Sequence, residues 1–132
     1  VKKIFFLFLL AGVFSCKKYN EVKTLKNEIV GTWELERFVG YPFNQPPLPP
    51  GNGRIIVLEE GGLFERKQHD TLVFRGLYSV RRKKDCHESN SDIIFSTTES
   101  SSYQYIKISD EKLSLSTPNC YQDGGTAYYR RM

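Results

Sequence analysis

Side chains able to make or break bonds are scarce in this chain, which has three cysteines and two histidines in 132 residues. His69 precedes Asp70 between two apolar runs, a pattern that suits a tight turn with a solvated imidazole rather than a poised base. Glu59 and Glu60 are adjacent, so on an extended backbone their carboxylates face opposite ways and do not share a site. Cys86-His87-Glu88 is also a run of immediate neighbours, which disfavours a common metal-ligand set. The chain contains no Gly-x-Ser-x-Gly elbow, no His-Glu-x-x-His and no glycine-rich phosphate loop. The expectation is therefore no enzyme, no metal and no cofactor.

Cys16 stands in a different setting. Lys2 and Lys3 are followed by the uncharged stretch Ile4 to Phe14 and then by Ser15, the tripartite layout of an export signal. Eleven residues rise roughly 16 Å as a helix, against a hydrocarbon core of about 30 Å, so the stretch is too short for a permanent span. Val13-Phe14-Ser15-Cys16 resembles the lipobox of bacterial lipoproteins, with Phe14 departing from the usual small or aliphatic residue. That resemblance implies removal of residues 1–15, a diacylglycerol thioether on Cys16 and a short stalk over 16–24. Ordinary cleavage that releases a soluble protein is the alternative. More than one acyl chain takes membrane binding beyond reversible partitioning. The phenylalanine-rich signal ending in Ser-Cys is similar to those of Bacteroidetes lipoproteins. Lys17 and Lys18 replace the acidic residues that surface-exported members carry, which implies the periplasmic face of the outer membrane.

From Cys16 onward, 17 basic face 15 acidic side chains, because two of the 19 basic residues are Lys2 and Lys3. So small an excess excludes nucleic acid as the expected partner. The remaining 117 residues suit one domain, 25–132, with one core. In an oxidising compartment the two further cysteines, Cys86 and Cys120, are expected to pair. The loop so closed is worth roughly 4 kcal/mol on the chain-entropy model. Two free thiols are the alternative.

The elements that position these groups read as all-β. Leu25 and Ile29, four apart, suit one helical turn laid on a core. In Thr32-Trp33-Glu34-Leu35-Glu36 apolar and acidic residues alternate as in a strand with one wet face, and Phe38 breaks the alternation, which predicts a bulge near Arg37. Residues 41–53 hold Pro46, Pro47, Pro49 and Pro50 and are expected to form a stiff loop. Beyond it, Gly61-Gly62, His69-Asp70, the serines at 100–102, Asp110-Glu111 and Gly124-Gly125 punctuate short strands. Eight strands result, and closing them into an antiparallel up-and-down barrel removes the sheet edges. The expected inward set is Trp33, Leu35, Ile56, Leu58, Phe64, Leu72, Phe74, Tyr78, Val80, Ile94, Ile106, Ile108, Leu113, Leu115 and Tyr129.

The helical turn before Gly31-Thr32-Trp33, the strand Gly76-Leu77-Tyr78-Ser79-Val80 and the ending Tyr128-Tyr129-Arg130 together resemble the lipocalin-like family of small bacterial lipoproteins. The resemblance spans residues 25–131. It implies a structural base where Arg130, or Arg131, packs across Trp33. It also implies a lid over the barrel mouth from residues 40–53, bringing Tyr41, Phe43 and Leu48 to a ligand; Phe74 and Tyr78 complete the candidate binding set. The implied ligand is small and apolar or aromatic. The alternative is a filled barrel serving as an interaction module for another envelope protein, with tyrosines such as Tyr103, Tyr105, Tyr121 and Tyr128 as contact groups.

Overall fold

Turn residues interrupt the apolar alternation often enough that no strand exceeds fourteen residues. The computed structural model describes residues 19–42, 44–84, 91–118 and 123–132. The signal at 1–15, Cys16, Phe43, Cys86, His87, Cys120 and Tyr121 lie outside the described residues. A helix, α1 (19–29), is followed by β1 (Gly31–Gly40), β2 (Arg54–Leu58), β3 (Leu63–Gln68), β4 (Thr71–Lys84), β5 (Ser91–Thr97), β6 (Tyr103–Ser109), β7 (Lys112–Ser116) and β8 (Gly125–Arg131). Each strand pairs antiparallel with the next, and β8 pairs back onto β1 to close the barrel. The all-β, eight-stranded, up-and-down architecture expected from the sequence is what the chain forms.

Two hairpins carry non-glycine residues in the left-handed region. His69 and Asp70 have φ of 48° and 63°, and Asp110 and Glu111 have 50° and 59°. Positive φ at both central positions is the two-residue turn whose twist matches the flanking strands. Glu111 is poorly suited to it, since only Gly, Asn and Asp adopt this region cheaply. Glu111→Gly should therefore stabilise the fold by about 0.5–1 kcal/mol. A rise in the urea midpoint with unchanged slope is the expected reading, and a lower midpoint contradicts it.

The core lies inside the lower barrel. Trp33, Ile56, Leu58, Phe64, Val80, Phe95, Ile106, Leu113 and Leu115 form one buried cluster, capped by Leu25 and Ile29 of α1. Aromatic rings interlock there, with Phe64 and Phe95 edge-on at 6.1 Å and Tyr78 stacked on Phe95 at 5.7 Å. Val22, Leu25 and Ile29 repeat at helical spacing and dock α1 on this cluster, and Glu21 pairs with Arg82 of β4. The helix thus takes in residues 19–24, which the sequence reading assigned to a flexible stalk. Their apolar stripe and the Glu21 ion pair order them.

Two strands depart from the expected register. β4 carries an extra residue, because Arg66 faces Phe74 while Lys67 faces Leu72. That bulge at Val73 turns Leu72 outward, and it is 43 % exposed. In β5 the residue that joins the inner cluster is Phe95, opposite Val80, while Ile94, also fully buried, lies on the other face opposite Arg81 and Tyr105. Ile93-Ile94-Phe95 is apolar throughout, so a period of two has no way to choose between faces. The bulge expected near Arg37 is present, between Leu35 and Arg37. It turns Phe38 onto Gly125, where an added Cβ would sit 2.3 Å from the ring.

Candidate functional site

At its lower end the barrel is closed by Trp33 and the last strand. Trp33 is fully buried, and its indole Nε1 donates to the Ile29 carbonyl at 2.7 Å. Trp33 pairs with Arg131 across β1 and β8, and the Arg131 guanidinium lies 4.3 Å from the ring centroid. The same guanidinium donates to the carbonyls of Glu28, at 2.6 Å, and Val30, at 3.0 Å. A cation at a helix C-terminus satisfies carbonyls that lack intrahelical partners. Of the two arginines considered, Arg131 fills this role, and the assignment of Arg130 to the base is corrected. The ladder register decides it, since Glu34 stands opposite Arg130. Glu34 is 2 % exposed and pairs with Arg130 at 3.4 Å, on the face of the sheet opposite to Trp33.

Residues 44–53 do not hang over the mouth as a lid. They run back along the edge of β1 where β2 has not yet begun. The backbone N–H of Gln45 donates to the Phe38 carbonyl, and that of Leu48 to the Glu36 carbonyl at 2.7 Å. Asn52 donates to the Leu35 carbonyl, the N–H of Gly53 to Glu34, and Arg130 to the Leu48 carbonyl. The prolines leave this segment few donors, and those few go to β1. It is a section of barrel wall.

The proposed binding residues are accordingly not gathered at one point. Tyr41 is 76 % exposed. Phe74 packs on Phe64 at 6.0 Å and lies across Gly76. Tyr78 is stacked on Phe95, and its hydroxyl donates to the Glu59 carbonyl at 2.8 Å, near the β2–β3 turn.

A cleft of about 240 Å³ opens instead beside the start of β2, lined by Leu35, Arg54, Ile56, Arg66, Gln68 and Tyr129, with Ile55 and Lys67 at its edge. Leu35 faces Tyr129, Ile56 faces Arg66 and Arg66 faces Phe74, so these side chains share the inner surface. Arg54 pairs with Gln68 one step nearer the β3–β4 turn, in the same inward register. The floor is apolar and the rim cationic. Arg66 pairs with Glu99 of the β5–β6 connection, spanning the upper barrel. Burial pushes the Tyr129 phenol up to about 12, with Arg66 pulling the other way.

That shift has a sign. The neutral phenol is favoured in the fold, so its contribution is complete below the ordinary tyrosine value and is lost as pH rises toward 12. Burial raises Tyr78 as well, so ultraviolet titration should show late-ionising tyrosines, the latest of them lost in Tyr129→Phe. A late titration of undiminished amplitude in Tyr129→Phe would assign the shift elsewhere.

A larger cleft of about 430 Å³ lies by Phe95, Thr97, Ser100, Ser102, Gln104 and Thr117. Its walls combine the Phe95 and Tyr103 rings with several hydroxyls, one amide and the Asp123 carboxylate, and Ser100 and Ser102 already bond one another at 2.8 Å. It has no cation among its described lining residues, and its one charged group is a carboxylate. The sequence reading placed Tyr129 and Ile56 inside but missed Arg54 and Arg66. The signal was there: each stands two residues from an inward apolar residue, Ile56 or Phe64, and therefore on the same face.

No protein-family model matches this chain, and no curated protein or solved structure does. The chemistry of the cleft is therefore the basis for a functional reading. Among the described residues, no group of His, Cys, Asp and Glu forms a metal site, and no helix is long and apolar enough to cross a membrane.

Proposed function

We propose that this protein is a lipocalin-like lipoprotein, tethered through Cys16 to the outer membrane on its periplasmic side, that holds a small apolar or aromatic molecule in its barrel. The observation that carries the binding half is the inner cleft with Leu35, Ile56 and the Tyr129 ring as floor. The interior below it is filled by the core cluster. The ligand therefore sits in the upper barrel rather than at the base. The anchor follows from the signal and the lipobox-like residues before Cys16. Helix α1 caps the closed base, and the cleft lies toward the β3–β4 turn.

Backbone chemical-shift mapping of the mature chain titrated with 4-phenylbutan-1-ol tests the binding. Shifts centred on Leu35, Ile56, Arg66 and Tyr129 are expected, and an absence of shifts there contradicts the reading. Cys16→Ala should release the protein from membranes, and its continued sedimentation with them would refute lipidation. With Cys86 paired to Cys120, the folded, unreduced chain should take up no alkylating reagent.

A second reading is favoured by Leu72, Val73 and Leu77 of β4, which are 43, 47 and 57 % exposed. An outward apolar row on a charged barrel suits contact with another envelope protein. Under that reading the shifts would centre on β4.

A further inference from the structure

Resting on that reading of the cleft, we infer that its ligand is an acid: a small amphiphile whose carboxylate is bound by Arg54 and Arg66 while its apolar body lies on Leu35, Ile56 and Tyr129. Three observations support this. The described residues lining the cleft include two inward arginines and no carboxylate, while Lys67 at its edge is paired with Glu65. Arg54 and Arg66 occupy inward register positions, opposite Gln68 and Phe74, where an apolar or small residue would serve a purely apolar guest better. The planar fork of a guanidinium matches a carboxylate in two-point contact.

The third observation is Glu99. Its carboxylate already takes both the Nε and a terminal nitrogen of Arg66 in a two-point contact. Arg66 is 44 % and Glu99 30 % exposed at the side chain, so the pair is within reach of water and free to exchange. Glu99 lies just beyond the last residue of β5, Thr97, and is thus carried by a connection rather than by the wall. It acts as an internal competitor that an incoming carboxylate displaces. Arg54 is exposed at the entrance and supplies the first contact.

Calorimetric titration of the mature chain with 4-phenylbutyrate and with neutral 4-phenylbutan-1-ol tests this. The two probes share one apolar body and differ in the acid. The native chain should bind the acid about tenfold more tightly than the alcohol. Arg54→Gln and Arg66→Gln should each remove most of that preference, weakening the acid far more than the alcohol. Glu99→Ala should move the acid the other way, to tighter binding, and leave the alcohol unchanged. Circular dichroism checks the fold of each variant, and the opposite direction of Glu99→Ala is a result that simple destabilisation does not give. Equal binding of acid and alcohol, indifferent to all three substitutions, overturns the inference and leaves the apolar cleft standing. Binding of neither probe overturns the cleft itself, and the inference with it.

Discussion

Trp33→Ala should lower the stability of the fold by about 3–5 kcal/mol, the range for removing a buried aromatic side chain when the surroundings cannot collapse into the space. The site has little room to adjust. Trp33 is fully buried, its indole N–H satisfies the Ile29 carbonyl in the last turn of α1, and Arg131 covers its ring. The substitution empties the core and leaves a buried carbonyl without its donor. Trp33→Phe separates the two effects: it keeps most of the volume, so its cost should fall to about 1–2 kcal/mol for the lost hydrogen bond. Arg131→Ala removes the cation over the ring and the ligand of the Glu28 and Val30 carbonyls. Its effect should be less than additive with Trp33→Ala, because both act on one contact. Urea denaturation followed by circular dichroism measures all of these. A cost below half a kcal/mol for Trp33→Ala would remove the tryptophan from the core.

Arg130→Ala should cost about 3–5 kcal/mol, since it strands the Glu34 carboxylate in a buried position. Glu34 is 3 % exposed at the side chain, and among the described residues it accepts, besides Arg130, only the long, 3.3 Å bond from the Gly53 N–H. Arg130 also donates to the Leu48 carbonyl at 2.6 Å, so the substitution loosens the wall segment 44–53 as well. Replacing the pair together, as Glu34→Gln with Arg130→Met, should cost clearly less than either Arg130→Ala or Glu34→Ala, because no lone charge is left behind. Single variants that cost no more than the double variant would show that the pair is effectively solvated. Faster proteolysis within residues 44–53 should accompany Arg130→Ala, and its absence would detach the wall segment from the ion pair.

These two sites mark what can and cannot be read from residues alone. Turn chemistry is local, so Gly61-Gly62, His69-Asp70 and Asp110-Glu111 gave the hairpins directly, and alternation gave the strand count. The bulge in β1 was legible because Phe38 falls out of phase with Trp33 and Leu35. The bulge in β4 was not, because Leu72-Val73-Phe74 is apolar on every residue and hides a slip of one. The choice between Arg130 and Arg131 also depends on a ladder register, which joins residues nearly a hundred positions apart. The course of residues 44–53 rests on Asn52, Gly53 and Arg130 reaching β1 from a distance, and proline content announced only that the segment is stiff. The cleft was half legible: the apolar floor follows from periodicity, whereas an arginine on a strand next to apolar neighbours does not by its type alone declare an inward face.

Native mass spectrometry of the protein purified from its own host's membranes, compared with the same sample after denaturation, tests the ligand-binding claim most directly. The folded protein should carry a small organic acid that denaturation releases. A folded protein whose mass equals that of the denatured chain, with nothing released, would contradict it.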